Sequence, residues 1–172
     1  MNRTRSIPAL LCAFALSFVG LGVSGEEVAA VPDQADSVLV VKSERKLYLM
    51  RAGRVLRAID IALGIFPKGP KRREGDFRTP EGHYVLEARN ANSDYFLSIQ
   101  VSYPSDADRA QARKARVDPG GHIMIHGWPN EPHYEWGHYE GDWTDGCIGV
   151  RNTDMVDIWL MTRESTPIEI RP

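Results

Sequence analysis

The sequence predicts a mainly β domain with a few short helices, and three observations lead there. Short runs rich in Val, Ile, Leu, Tyr and Phe recur at 37–42, 46–51, 55–62, 84–87, 95–101, 123–125 and 167–170, separated by turn-forming segments. Fifteen Gly and eleven Pro in 172 residues suit a turn-rich fold better than a helical bundle, and 9% aromatic content argues against disorder. Helix signals are confined to 105–116 and the stretch after 152. A chain of this length supports one domain with a real core.

Arg3 and Arg5 precede an apolar run over 9–23 that ends at Ser24-Gly25, so 1–25 is expected to be a secretory signal peptide. The run falls short of the roughly 20 residues of a membrane span, with an uncleaved anchor as the alternative. Cys12 sits inside it, without the small residues expected ahead of a lipidated cysteine. Loss of 1–25 removes two arginines and no acids, which takes the net charge from −2 to −4. No basic field exists to hold nucleic acid or an anionic membrane.

Residues 26–36 read as a flexible lead-in and 37–172 as the domain. The first three runs look like strands joined by hairpin turns. In the third, Val55, Arg57, Ile59 and Ile61 share one face and Leu56, Ala58 and Asp60 the other, which leaves its burial open. The Gly-, Pro- and Lys/Arg-rich stretch 64–82 is loop chemistry, and Lys68, Lys71, Arg72 and Arg73 fit a solvated loop better than an anion site. Tyr95, Leu97, Ile99 and Val101 form the core face of another strand. Ser105 is a plausible N-cap, with acids in the first turn and bases later. The run 123–125 delivers His126 at its end, and 127–146 is a long loop rich in Trp and Tyr, of a length usually tied to function. Asn152-Thr153-Asp154 then caps a short helix with Met155, Ile158 and Trp159 on one face, and 167–170 is the last strand.

Cys147 is the only cysteine after residue 25. A lone exported thiol is buried and inert, bridged to another chain, or chemically employed. It stands in Thr144-Asp145-Gly146-Cys147-Ile148 just ahead of a helix signal, where backbone N–H groups would lower its pKa, and closure of the aromatic loop would bring His126 to it as a base. His122, His126, His133 and His138 match no standard zinc spacing, so no metal or cofactor is expected. Trp128, Tyr134, Trp136 and Trp143 read as packing and cleft-lining residues.

The order Ile125-His126-Gly127, with seventeen residues between His126 and Thr144, then Thr-x-Gly-Cys-Ile resembles the L,D-transpeptidase catalytic domain family of the YkuD type. That family's motif is a histidine, a spacer, Ser or Thr, usually His, then Gly-Cys and an apolar residue. Gly75-Asp76-Phe77-Arg78-Thr79-Pro80-Glu81-Gly82 matches its Gly-x-x-x-Thr-Pro-x-Gly segment, and the likeness covers about 37–170. The resemblance implies a β-sandwich, Cys147 as nucleophile and His126 as general base. It implies an oxyanion hole of backbone N–H groups at Gly146 and Cys147, and Gly127 shaping the histidine's turn. The implied activity is acyl transfer through a thioester on peptidoglycan stem peptides in the periplasm or cell envelope, as part of cell-wall remodelling. Two positions depart from the pattern: Asp145 replaces the usual second histidine, and Gly149 stands where arginine commonly follows Cys-Ile. Arg151, with Thr144 and Trp128, is then the candidate for binding substrate. The departures look like a branch that includes hydrolases of amide links to peptidoglycan. A non-catalytic wall-binding module and a thiol-redox or metal-binding protein are readings of other classes.

Overall fold

The computed structural model describes residues 33–131 and 141–172. Eight strands, β1 (Ser37–Val41), β2 (Lys46–Arg51), β3 (Arg54–Asp60), β4 (Gly82–Ser93), β5 (Phe96–Val101), β6 (Met124–His126), β7 (Ile148–Gly149) and β8 (Pro167–Arg171), join two helices, α1 (Asp106–Ala115) and α2 (Asn152–Met161). The strands lie in the order β3-β2-β1-β8-β4-β5-β6-β7. All neighbours are antiparallel except β1 with β8 and β6 with β7. The fold is mainly β with few helices, as the sequence predicts.

Period-two alternation sets the register of the first half. Val38 of β1 lies opposite Leu49 of β2 and Ile168 of β8, and Ile168 lies opposite Tyr84 of β4. All four are buried, which forms one apolar row across the sheet. A slip of one residue would turn every member of that row to solvent. The third run is an edge strand on which Ile59 is buried while Val55 is exposed, which resolves the open alternation.

β4 joins the two halves. Its first four residues pair with β8, and from Leu86 onward it pairs with β5 through two register shifts. One buried cluster contains residues of both halves and of α2, whose Met155, Ile158 and Met161 are buried. α1 begins at the Ser105 cap, with a reciprocal Ser105–Asp108 capping box. α2 is entered from Arg151 without a side-chain cap, so Asn152 is a first-turn residue and not the cap.

Two segments differ from expectation. Residues 33–36, assigned to a flexible lead-in, are tied to the domain: Ala35 N–H donates to Met161 O, Asp36 N–H donates to Met50 O, and Ala35 is buried. The basic loop is not simply solvated. The Lys71 side chain is 4% exposed and pairs with Asp76 at 2.9 Å, and buried Lys42 reaches over to donate to Gly69 O, Thr79 O and Glu81. The signal-peptide run and the aromatic-loop residues Tyr134, Trp136, Tyr139, His133 and His138 lie outside the described residues. Among the described residues, no helix is long and apolar enough to cross a membrane.

Candidate active site

Adjacent parallel strands position the two chemical groups, His126 at the end of β6 and Cys147 immediately before β7. Ile125 pairs with Ile148 and His126 with Gly149, so continuing that register by one residue places Cys147 opposite Met124. His126 is two residues beyond Met124, and side chains two apart on a strand share a face. Cys147 and His126 line one recess of ≈ 380 Å³ with Tyr95, Ser98, His122 and Trp143. Ser98 is buried because it lies beneath this recess, although it sits on the face of β5 expected to be polar.

The turn that presents the sulfur depends on Thr144 and Gly146. The Thr144 hydroxyl donates to Cys147 O at 2.7 Å and accepts the Gly146 N–H at 3.2 Å. Gly146 has φ +129°, and a Cβ there would stand 2.7 Å from Arg78 O, so both backbone conformation and space demand glycine. The Thr-Pro segment supports this turn from below. Thr79 is fully buried, its hydroxyl accepts the Gly64 N–H at 3.1 Å, and Leu63 O and Ile65 N–H pair with Thr144 on the same stretch.

Burial dominates the electrostatics of both groups. It pushes the Cys147 thiol above the ordinary thiol value; the Met124 N–H, 3.4 Å from Sγ, and Lys71 oppose that rise, while Asp145 adds to it. Helix α2 begins five residues later, so its N-terminus does not lower the thiol as the sequence suggested. The thiol's resting acceptor is His122 O at 3.6 Å. Burial pushes the His126 imidazole down, opposed by the bond from Nδ1 to Gly127 O at 2.7 Å. A carbonyl can only accept, so Nδ1 carries the proton and Nε2 holds the lone pair of the neutral ring. Tyr95, 4.6 Å away between ring centroids, and Trp143, at 5.5 Å, pack against that imidazole. A neutral thiol that shares a recess with a neutral imidazole of defined basic nitrogen is a starting state for general-base activation of a nucleophile.

The model of the YkuD family, the L,D-transpeptidase catalytic domain, matches residues 35–170. The chain belongs to this family. The Escherichia coli (strain K12) protein named "Putative L,D-transpeptidase YafK" is 30% identical over 141 residues, covering 74% of this chain and 55% of that protein. Pgp2 of Campylobacter jejuni, a helical cell shape determining protein, superposes with a TM-score of 0.60 and 25% identity over 77% of this chain and 46% of its own. Bd1075 of Bdellovibrio bacteriovorus shares the fold, with a TM-score of 0.54 and 21% identity over 82% of this chain and 51% of its own. The chain thus spans about half the length of the relatives it matches.

Against the family pattern, the structure gives a physical reason for Gly149. A Cβ at this position would stand 2.7 Å from Cζ2 of Trp143, so no side chain fits while that indole occupies its place beside His126. Arg151 and Trp128 lie elsewhere: both line a second recess of ≈ 620 Å³, and Arg151 pairs with Asp154 at 2.7 Å. Thr144 borders the cysteine recess, with its hydroxyl engaged in the turn. Of the two expected oxyanion donors, Gly146 N–H is given to Thr144, and Gly127, at the histidine's turn, donates its N–H to Tyr95 O and Leu97 O. His122 does not share the strand with His126; it precedes β6 with φ +54° and offers its carbonyl to the thiol. Among the described residues, no group of three His, Cys, Asp or Glu could hold a metal ion.

Sequence reasoning missed Asn152 and Asp142. Asn152 Oδ1 accepts the Trp128 N–H at 2.8 Å and abuts Gly127, where a Cβ would meet it at 2.5 Å. Asp142 accepts a two-pronged bond from Arg45 and the Leu63 N–H, which fixes the return of the aromatic loop ahead of Trp143. No local pattern marks either residue, since both act through partners distant in sequence.

Proposed function

We propose that this protein is an exported cysteine acyltransferase of the L,D-transpeptidase type acting on peptidoglycan stem peptides. The observation that carries the reading is the shared recess, lined by a half-buried thiol just ahead of β7 and by a neutral imidazole at the end of β6 with its tautomer fixed by Gly127 O. In this mechanism His126 Nε2 takes the thiol proton as Sγ attacks the carbonyl carbon of the third stem residue. The C–S bond forms, and the carbonyl electrons move to oxygen, where the Cys147 N–H is the remaining donor of the expected pair. Collapse of that intermediate breaks the C–N bond, His126 returns the proton to the leaving D-alanine amine, and a thioester remains. An amine of another stem then displaces Sγ in transpeptidation, or water does so in hydrolysis. The family and the likeness to a cell-shape protein support a role in cell-wall remodelling.

Incubation with disaccharide-tetrapeptide followed by intact-mass measurement tests the reading. The expected result is an adduct equal to the substrate minus D-alanine on the parent protein and none on Cys147→Ala. An unmodified parent under conditions where it is folded, or turnover by Cys147→Ala, would refute it. Cross-linked product or free tripeptide identifies the group that resolves the thioester.

A further inference from the structure

A recess of ≈ 470 Å³ adjoins the loop that supports the cysteine turn, lined by Phe66, Phe77, Arg72, Arg73, Arg78 and Asp76. Phe66 is 58% exposed and meets Phe77 edge-on, with ring centroids 6.1 Å apart. Among the described residues, none of the three guanidiniums has a carboxylate partner. Asp76, the acid in the lining, is already engaged: Lys71 Nζ donates to it, as do the N–H groups of Arg72, Arg73 and Arg78. The same bonds fix the backbone that carries all three arginines, so little ordering remains for a ligand to impose. Among its described residues, an otherwise acidic protein therefore holds positive charge without carboxylate partners and an exposed phenyl ring in one place.

The position of this recess connects it to the candidate active site. Ile65 N–H donates to Thr144 O at 3.0 Å, and Arg78 O lies directly beneath Gly146. The cation nearest Cys147 in sequence, Arg151, is committed to Asp154 and borders a different recess.

We infer that the Phe66–Arg78 recess docks the peptidoglycan strand on which Cys147 works. The guanidiniums of Arg72, Arg73 and Arg78 take stem-peptide carboxylates in the planar, two-pronged geometry that suits them, and Phe66 offers a flat apolar face to a sugar ring. The inference rests on the acyltransferase reading for the identity of the polymer. Its physical role is to hold the polymer close to the cysteine and so raise the local concentration of stems.

Co-sedimentation of the full chain carrying Cys147→Ala with sacculi freed of phosphate polymers tests it without turnover. The expected result is retention that falls steeply with added salt and drops roughly tenfold in Arg72→Gln/Arg73→Gln, the scale of losing charge-assisted contacts. Phe66→Ser should weaken retention less. Sacculi whose carboxylates are amidated, and chitin, which lacks stem peptides, should hold the protein no better than untreated sacculi hold the double variant. With Cys147 restored, Arg72→Gln/Arg73→Gln should lose more acylation on intact sacculi than on the small soluble tetrapeptide. Absent retention, equal retention of parent and double variant, retention indifferent to salt, or equal retention on amidated sacculi would each overturn the inference. A protein that sediments as expected and yet never acylates would refute the catalytic reading and leave the docking site standing.

Discussion

The recess of Cys147 and His126 and the larger one lined by Arg45, Asp142 and Arg151 both border Trp143, yet they handle polar groups in different ways. In the first, burial keeps thiol and imidazole neutral and the backbone supplies their partners: Met124 N–H, His122 O and Gly127 O. In the second, charge is answered by charge, Arg45 with Asp142 and Arg151 with Asp154. The reactive groups have their geometry fixed by main chain, while nearby charged side chains largely satisfy one another. Closeness in sequence to the cysteine therefore does not place Arg151 in the cysteine's recess.

Substitutions can break that contrast to graded extents. Cys147→Ala should abolish acylation in the mass assay while leaving the melting temperature near the parent's. His126→Ala should lower the acylation rate by about 10² to 10⁴, the usual loss for a positioned base; a comparable loss in His122→Ala with little in His126→Ala would shift the role. Alkylation by iodoacetamide should titrate with a midpoint above that of an ordinary thiol, near 8.5, because burial holds the Cys147 proton on. A midpoint well below it would show a preformed thiolate. The imidazole gives a second pH signature. Since its folded pKa is depressed, the unfolded chain binds that proton more readily. This group is neutral to stability well above about 6.5 and costs stability as pH falls through that value. His126→Gln should flatten that part of a denaturation-against-pH curve.

Smaller effects sharpen the comparison at its boundary. Thr144→Val removes the hydroxyl that holds both Cys147 O and Gly146 N–H and should cost about 1–3 kcal/mol in chemical denaturation, with Thr144→Ser restoring most of it. Gly149→Ala should push Trp143 from its seat, read as a change in tryptophan fluorescence and a severalfold loss of acylation. Arg151→Ala should come last, with kcat and KM each within about twofold of the parent. A large rise in KM there would place substrate in the second recess after all.

Local signals carried much of the fold in the sequence. The hairpins of β1 to β3, the Ser105 cap and the arrival of His126 at the end of β6 all rest on near neighbours, and they match the structure. β4 shows where that ends. The sequence expectation stops at Glu87, since 88–93 is polar and weakly β-forming, but pairing with β5 extends the strand to Ser93. The same limit applies at the site. The Thr-x-Gly-Cys motif marks the turn, whereas the seat of the thiol against Met124 and His122 comes from contacts across more than twenty residues, and the Lys71–Asp76 pair and the crowding of Gly149 by Trp143, though close in sequence, need a folded geometry that spacing does not record.

β8, the last strand in chain order, occupies a central place in the sheet, between β1 and β4. Until residues 167–171 emerge, β1 to β3 and β4 to β7 have no strand to bridge them, and the apolar row through Val38, Ile168 and Tyr84 is interrupted. Assembly of the sheet therefore waits on sequence-distant pairing, a slow kind of contact to form. During synthesis the nascent chain would carry its thiol through most of its elongation without the surroundings that give that thiol its chemistry.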